Sequence, residues 1–283
     1  MYMHQDSMDH KSLQNRIGVR VLLGIILCMM VLSAGCQTFP KGEHVSQLYD
    51  EEFPSVDLLY TCYSLCLAVW RERDAWRDTG WDLDYFSHEP TNTLGLAVRD
   101  GRTMYLVFRS SQAPEVSIDA QLNYQIRLTP LFFTDNPQYK AHKGMLSRYE
   151  GVYDEVHDRV REFEGDCLFI IGHSAGGMVA TIAFFDLYHA YPKHCVTLVT
   201  FGTPRVLNIR AAQALEEAHE HMIRVVMGRD FFASIPPALF GYRHAGRLIR
   251  IGSQPFWKIF SIKDHYPGYQ HELQRLFDLA GQE

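Results

Sequence analysis

The stretch FIIGHSAGGMVATIAFFDL, residues 169–187, places one serine between two glycines at the junction of two apolar runs. The first run, residues 167–171, predicts a short buried strand, and the second, residues 175–191, predicts a helix that ends at Pro192. A serine at a sharp strand-to-helix turn lifts its hydroxyl above the helix N-terminus, where backbone N–H groups stabilise negative charge. Ser174 is therefore a candidate nucleophile; the alternative is a turn that tolerates glycine and has no chemistry.

The five residues 172–176 match the pattern G-x-S-x-G. In a chain of 283 residues such a pattern arises by chance about one time in ten. The surrounding sequence favours a nucleophile over a chance match. A nucleophile at a tight turn requires small residues at both glycine positions, a strand before the turn and a helix after it.

Composition indicates a globular protein with one sizeable core. The chain is 47% hydrophobic and 13% aromatic, with a formal net charge of −6. No basic block lies beyond the N-terminal region, so we expect no nucleic-acid partner. No fixed-period repeat is present, and no low-complexity tract stands out.

The N-terminal region has the layout of an export signal. Lys11, Arg16 and Arg20 precede an apolar stretch over residues 21–35, which is shorter than the roughly 20 residues of a membrane span. Residues 32–36 (LSAGC) resemble a bacterial lipobox, except that Ser33 stands where an aliphatic residue is preferred. An ordinary signal peptide with a chance cysteine is the alternative.

These features predict three segments: a lipoprotein-type signal peptide over 1–35, a tether over 36–50 and one folded domain over 51–283. The lipobox resemblance implies a lipid on Cys36 and therefore a membrane anchor in the cell envelope. Gln37 then points to the outer membrane by similarity to Gram-negative lipoproteins.

Four cysteines lie outside the export segment, and the exported context permits disulfides among them. Cys62 and Cys66 are four residues apart in a predicted helix and share one face. Cys167 and Cys195 each begin a strand-like run, so their strands could be neighbours. For each cysteine the simpler interpretation is a buried free thiol. No cysteine–histidine spacing is typical of zinc, so no metal is expected.

The remaining pattern predicts an α/β fold. Strands alternating with helices in the second half indicate a mainly parallel sheet with helices on its faces. The predicted elements are a helix over 54–74, a hairpin of strands 93–98 and 103–109 around Asp100-Gly101, a strand over 122–128, a loop over 129–143, a helix over 145–163, a strand over 195–201, a helix over 211–219, strands over 223–227 and 248–251, and a helix over 271–280.

A serine nucleophile requires a histidine base and an acid that orients it. Asp230 directly follows the predicted strand 223–227, and His265 lies beyond the last predicted strand. Asp264 is an alternative acid, but adjacent loop residues rarely point at each other. His173 is expected to pack and hydrogen-bond behind the serine.

We expect other side chains near these positions to have structural roles. His142 is expected to do structural work, and His244 and His271 to lie at the surface or in packing. Arg109 and Arg205 could pair with buried carboxylates, as scaffold. Core packing is the default for Phe231, Phe232 and Phe240, with an acyl pocket as the alternative.

Several segments together resemble the lipase class 3 family, the fungal triacylglycerol lipase type and its bacterial relatives. GHSAGGMVATIAFFDL resembles the family's nucleophile turn and following helix. The other segments are VFRSS at 107–111, AHKGM at 141–145, TFGTPRVLN at 200–208, RVVMGRDFFASIPP at 224–237 and DHYPGY at 264–269.

The resemblance implies an α/β-hydrolase fold with a mostly parallel central sheet. It implies a catalytic triad of Ser174, Asp230 and His265 that needs no cofactor. Ser111 and the backbone N–H of Ala175 would form the oxyanion hole. Because Ser110 replaces the family's glycine, the choice between Ser110 and Ser111 stays open.

The predicted function is hydrolysis of lipid or small carboxylic esters through an acyl-enzyme. A phospholipase acting on membrane lipids and a non-catalytic, lipid-anchored envelope binding protein are the alternatives. The lid region, residues 112–121, is short and offers few apolar residues, among them Ala113, Val116 and Ile118, which leaves lipase and esterase preferences both open. The oligomeric state is open as well.

Overall fold

A twisted sheet of seven strands forms the centre of the computed structural model, which describes residues 54–70, 82–111, 118–253 and 261–282. The described residues all belong to one compact unit within Pro40–Glu283. The predicted signal peptide (1–35) and tether (36–50) lie outside the described residues, as do residues 112–117 of the predicted lid.

The strands and helices of the described ranges are named in chain order. The strands are β1 (Asp82–His88), β2 (Thr93–Asp100), β3 (Thr103–Phe108), β4 (Leu128–Pro130), β5 (Lys140–His142), β6 (Cys167–His173), β7 (Cys195–Phe201), β8 (Leu207–Asn208), β9 (Met222–Met227), β10 (Tyr242–Arg243) and β11 (Arg247–Ile251). The α-helices are α1 (Val56–Ala68), α2 (Ile118–Asn123), α3 (Lys143–Arg161), α4 (Ala175–Ala190), α5 (Ile209–Ala214) and α6 (Tyr269–Ala280).

The central sheet has the strand order β1-β2-β3-β6-β7-β9-β11. β1, β2 and β3 form an antiparallel meander, and the pairs from β3 through β11 are all parallel. The hairpin predicted around Asp100-Gly101 is confirmed, since Asp100 pairs with Thr103 and Gly101 has a φ of 56°. A smaller antiparallel sheet has the order β10-β8-β5-β4.

Helices cover both faces of the central sheet, as the alternating pattern predicts. α3 and α4 pack on one face around residues such as Leu106 and Ile170. α1 and α6 pack on the other, around residues such as Val199 and Ile251. All residues of α4 from 175 to 187 are buried, because the helix lies between the sheet and α3. That burial explains why its sequence is apolar on every side.

Three predicted elements differ in the structure. The predicted loop over 129–143 contains β5 and most of β4, and α3 already begins at Lys143. Residues 122–126 are not a strand: Leu122 belongs to helix α2, and the Tyr124 N–H donates to the Ala120 carbonyl. The apolar alternation there was misleading, because Asp119 and Leu122, three apart, are the buried pair. The helix predicted over 211–219 is wrong in extent, because α5 ends at Ala214 and a 3₁₀ turn follows.

The cysteine predictions are confirmed in part. All four thiols are free, and Cys62 and Cys66 are buried on α1. Cys167 and Cys195 lie directly opposite each other in the β6–β7 register. The expectation of burial is wrong for Cys195, which is exposed, and for Cys167, which is only half-buried. Each of these two cysteines is the first residue of its strand.

The described helices contain no segment that is both long enough and apolar enough to cross a membrane.

The buried histidine at the start of α3 predicts a loss of stability in acid. His142 is 2% exposed, and burial, with Arg148 adding a like charge, lowers its pKa to about 4. The unfolded chain takes up this proton near pH 6.5, so the stability from neutral His142 is lost as the pH falls from about 6.5 to about 4. Urea unfolding at pH 7 and 4.5 should show a His142→Gln variant losing about 2 kcal/mol less than wild type. An equal loss in both proteins would contradict this.

Candidate active site

The turn between β6 and α4 holds Ser174 in a backbone conformation that few non-glycine residues adopt. Its φ is 54° and its ψ is −126°, which costs on the order of 1–3 kcal/mol of strain. The Ser174 N–H donates to the Phe201 carbonyl at 2.9 Å, and this bond ties the turn to the end of β7. Glycine is required at positions 172 and 176 because a side chain would not fit at either. A Cβ at Gly172 would lie 2.4 Å from the Gly176 backbone, and one at Gly176 would lie 2.1 Å from the Phe108 carbonyl oxygen.

The three predicted triad residues form one hydrogen-bonded chain. His265 Nε2 lies 2.8 Å from Ser174 Oγ, and His265 Nδ1 lies 2.8 Å from Asp230 Oδ2. Asp230 follows β9 and His265 lies in the turn before α6. Asp230 is 4% exposed and His265 is 8% exposed. This geometry suits an imidazole that donates from Nδ1 to the carboxylate and accepts the serine proton at Nε2.

Further donors hold the Asp230 carboxylate. The Tyr269 hydroxyl donates to Oδ2 at 2.8 Å, and the Phe232 N–H donates to Oδ1 at 2.9 Å. The Tyr269 oxygen itself accepts the Met227 N–H at 2.9 Å, which directs its own hydrogen towards Asp230. Burial and the nearby carboxylate hold the pKa of Tyr269 well above its usual value, so the hydroxyl remains a donor.

Sequence reasoning missed Tyr269. The available signal was its place in DHYPGY, four residues after His265 and at the first position of α6.

The alternative acid, Asp264, points away from the histidine. Its Oδ1 accepts the Ser261 hydroxyl at 2.8 Å, and its Oδ2 accepts the Arg229 N–H at 2.8 Å. Asp264 therefore braces the loop that carries His265.

Two aromatic rings pack against the His265 imidazole. Its ring centroid lies 4.2 Å from that of Phe232 and 4.7 Å from that of His173. His173 Nε2 lies 3.2 Å from the His265 carbonyl oxygen, so His173 packs and hydrogen-bonds behind the serine as expected. Burial, with the neighbouring His265 adding to it, lowers the pKa of His173 to about 3. A neutral His173 places no competing cation beside the base.

The strand β3 ends against the first turn of α4, since Gly176 and the Phe108 carbonyl leave no room for a side chain between them. Ser111 follows that strand, and the Asn123 side-chain N–H donates to its hydroxyl oxygen at 3.0 Å. Within the described ranges Ser110 has no such side-chain hydrogen bond. The structure thus orients Ser111 and not its neighbour. Ala175 begins α4, where its N–H is one of the free donors of the first turn.

A buried ion pair holds the helix that carries Asn123. Asp119 on α2 and Arg148 on α3 bond to each other with side chains only 1% and 2% exposed. The pair joins the C-terminal part of the predicted lid (112–121) to one of the two core helices on that face of the sheet.

The two arginines proposed as partners of buried carboxylates bond to carbonyls instead. Arg109 donates to Asn92 O at 2.7 Å, and Arg205 donates to Pro236 O at 2.9 Å and to Ser234 O. Both act as scaffold. The proposed carboxylate partner is wrong for Arg205, whereas the charge of the buried Asp119 does act on Arg109.

The three phenylalanines and the remaining histidines differ in how deeply they are buried. Phe231 is buried, Phe232 lies on the imidazole, and Phe240 is 43% exposed, so core packing fails for Phe240. His271 is exposed, and His244 is half-buried with Nε2 2.9 Å from the Ala233 carbonyl.

Among the described residues, no group of three or more histidine, cysteine, aspartate or glutamate side chains is arranged to hold a metal ion.

Comparison with known proteins agrees with this architecture. Residues 105–240 match the family model "Lipase (class 3)". A lipase of Rhizopus niveus is 29% identical over 181 residues, which are 60% of this chain and 45% of that protein. A lipase of Rhizomucor miehei is 31% identical over 163 residues, 55% of this chain and 44% of that protein.

A solved triacylglycerol lipase, described as having a serine protease triad as its catalytic centre, is 27% identical. It covers 74% of this chain and 82% of its own, with a TM-score of 0.55.

Residues 105–240 are therefore similar to the class 3 lipase family, and the fold is the α/β-hydrolase fold. The chain spans a little under half the length of the curated relatives it matches first.

Removing the Tyr269 hydroxyl should take away one hydrogen bond to Asp230 while the Ser174, His265 and Asp230 side chains stay in the site. In Tyr269→Phe the carboxylate loses a donor and becomes more basic, so we expect kcat/KM for an ester to fall about tenfold with KM little changed. The acid limb of the pH profile should move to higher pH, since a more basic Asp230 stabilises the imidazolium.

The matched control is Tyr63→Phe, because Tyr63 is also buried and its ring lies 5.8 Å from that of Tyr269 without bonding Asp230. Identical pH profiles for the two variants would rule out the positioning role of Tyr269.

Proposed function

We propose that this chain is a serine hydrolase that cleaves carboxylic esters of lipids, of the triacylglycerol lipase or esterase type. The observation that carries the proposal is the hydrogen-bonded chain Ser174–His265–Asp230 at a strand-to-helix turn. The names of the relatives, lipases of Rhizopus niveus and Rhizomucor miehei, support the same class of reaction.

Acylation begins at the Ser174 hydroxyl. Its oxygen attacks the ester carbonyl while His265 Nε2 takes the proton. Asp230 keeps the Nδ1–H tautomer and stabilises the imidazolium cation that forms. The imidazolium then donates its proton to the departing alcohol, which leaves an acyl group on Ser174.

Negative charge on the former carbonyl oxygen requires donors that are already in place. The Ala175 N–H at the start of α4 supplies one, and the helix dipole adds to it. Ser111, oriented by Asn123, supplies the second. In deacylation His265 activates a water molecule, which attacks the acyl-enzyme and restores the serine. The cycle needs no metal or organic cofactor.

The surroundings of the triad favour an acyl chain as the group bound. Ile262 and Tyr266, on either side of His265, are 62% and 63% exposed. Leu239 and Phe240, which follow the Asp230 loop, are 78% and 43% exposed. Large apolar side chains left open to solvent near a reactive group are typical of sites that bind apolar ligands.

The N-terminal pattern supports a proposal for location. Residues 1–35 would direct export, Cys36 would carry the lipid, and residues 36–50 would tether the domain 51–283 to the envelope, at the outer membrane. A lipid-anchored hydrolase would meet ester substrates within or beside the bilayer.

The catalytic proposal predicts hydrolysis that depends on one hydroxyl. Wild type should hydrolyse p-nitrophenyl esters, and Ser174→Ala should lower kcat/KM about 10⁴-fold or more at every chain length from acetyl to palmitoyl. Ser147→Ala, a serine-to-alanine change on α3 outside the site, is the matched control and should keep wild-type rates.

Emulsified triacylglycerol, phosphatidylcholine vesicles and soluble short-chain esters, assayed in parallel, separate lipase, phospholipase and esterase preferences. If all three proteins hydrolyse every ester at one slow rate, the enzyme proposal fails and the binding-protein alternative gains support.

A further inference from the structure

Cys167 and Cys195, the first residues of β6 and β7, lie directly opposite each other in the parallel register of the two strands. Neighbouring strands of a sheet are about 4.8 Å apart, which lies within the Cα separation of about 4.4–6.8 Å that a disulfide requires. Backbone hydrogen bonds fix both positions. The Cys195 N–H donates to the Asp166 carbonyl at 2.8 Å, and the Cys167 N–H donates to the Arg102 carbonyl at 3.2 Å.

The two cysteine side chains project from the same face of the sheet. Residues separated by an even number of positions on a strand share a face. Phe169, two residues after Cys167, and Val199, four residues after Cys195, both pack in the core beneath α1 and α6. The register and the shared face together place the two thiols side by side.

Solvent reaches this end of the sheet. Cys195 is exposed, and Cys167 is half-buried. The pairing of β7 with β9 begins only at Leu198, so the first residues of β7 extend beyond the start of β9. Burial first, and then the neighbouring Cys195 thiol, raise the pKa of Cys167. Cys195 is therefore the thiol that an oxidant in solution meets first.

The other two cysteines of the described ranges lack this access. Cys62 and Cys66 on α1 are 0% and 4% exposed, and burial raises the pKa of both thiols. A thiol reacts as its thiolate and only where an oxidant can reach it. The described cysteines thus divide into one accessible pair on β6 and β7 and one sealed pair on α1.

We propose that Cys167 and Cys195, which are free thiols in the structure, are oxidised to a disulfide by exchange with a disulfide-bearing oxidant. Cys195 loses its proton, and the thiolate attacks the S–S bond of the oxidant. That bond breaks, one oxidant thiol leaves, and a mixed disulfide forms on Cys195. Cys167 then loses its proton and attacks the Cys195 sulfur, which releases the second oxidant thiol. The protein gives up two electrons and two protons, and the oxidant becomes two thiols.

The disulfide closes the segment that carries the nucleophile. β6, the Ser174 turn, α4 and β7 form a loop of about 30 residues between the two cysteines, and closing such a loop stabilises a fold by restricting the unfolded chain. At the catalytic end, the Ser174 N–H already bonds β6 to the Phe201 carbonyl of β7 at 2.9 Å. The disulfide fastens the same two strands at their opposite ends.

The proposed export of the chain would bring the pair into a compartment in which disulfides persist. The two thiols lie at the start of their strands and Ser174 follows the end of β6. The disulfide therefore takes no part in ester cleavage, and its test does not depend on the proposed activity.

Peptide mapping of the full chain tests for the bond. Cys28 and Cys36, outside the described residues, are replaced by serine, and the folded protein is incubated with oxidised glutathione or with dithiothreitol. It is then denatured in the presence of an alkylating reagent. After oxidation we expect the peptide that contains Cys167 to be joined to the one that contains Cys195, with Cys62 and Cys66 alkylated. After dithiothreitol all four should be alkylated.

Three results of the mapping would overturn the proposal. They are alkylation of both Cys167 and Cys195 after oxidation, a glutathione adduct that remains on Cys195, and a bond that joins two chains instead of two strands.

Thermal unfolding measures what the bond does. The oxidised protein should melt about 6 °C higher than the reduced protein, because the closed loop restricts the unfolded chain. Cys195→Ser should melt at one temperature under both conditions, and since Cys195 is exposed its replacement leaves the core intact. Cys62→Ala, the matched control in the sealed pair, should keep the difference. Equal melting of oxidised and reduced wild type, or a difference that persists in Cys195→Ser, would contradict the proposal.

Discussion

The tight turn at Ser174 is the constraint on which the site depends. A serine at a φ of 54° persists only because the structure around it leaves no other path for the chain. Gly172 and Gly176 let β6, the turn and α4 approach until their backbones are nearly in contact. A side chain at either position would push the helix off the sheet. The serine hydroxyl is therefore aimed by backbone packing, before any of its polar partners contribute.

The topology of the sheet brings the partners of that serine together. β6, β9 and β11 run parallel, so the loops after their carboxyl ends open on one edge. Ser174, Asp230 and His265 come from the chain that leaves these three strands. Gly202, after β7, completes the arrangement, because a Cβ there would lie 2.5 Å from Asp230 Oδ2. The strand order therefore brings Ser174, Asp230 and His265 to the same edge of the sheet.

Sequence reasoning succeeded where a local pattern had a single physical solution. The elbow motif with its flanking apolar runs predicted the turn and α4, and the resemblance of whole segments pointed to Asp230 and His265, which the structure joins by hydrogen bonds. It failed where long-range packing decides. Residues 122–126 alternate like a strand, yet the buried pair with Arg148 favours a helix at Asp119.

Tyr269 was missed for the same reason. A tyrosine at a helix start has many ordinary roles. Only the fold shows that its hydroxyl donates to the Asp230 carboxylate. The sequence around Cys195 is likewise typical of a core residue. The structure shows that it is exposed, as the first residue of β7.

Covalent labelling tests the central claim most directly. A p-nitrophenyl alkylphosphonate mimics the tetrahedral transition state and phosphonylates a serine only if a base activates it. The account predicts one adduct per chain, located on Ser174 by peptide mass, and labelling at least 100-fold slower in His265→Gln, since one triad member is worth about 10⁴-fold or more. An unmodified Ser174 in folded wild type, or equal labelling rates in the two proteins, would contradict it.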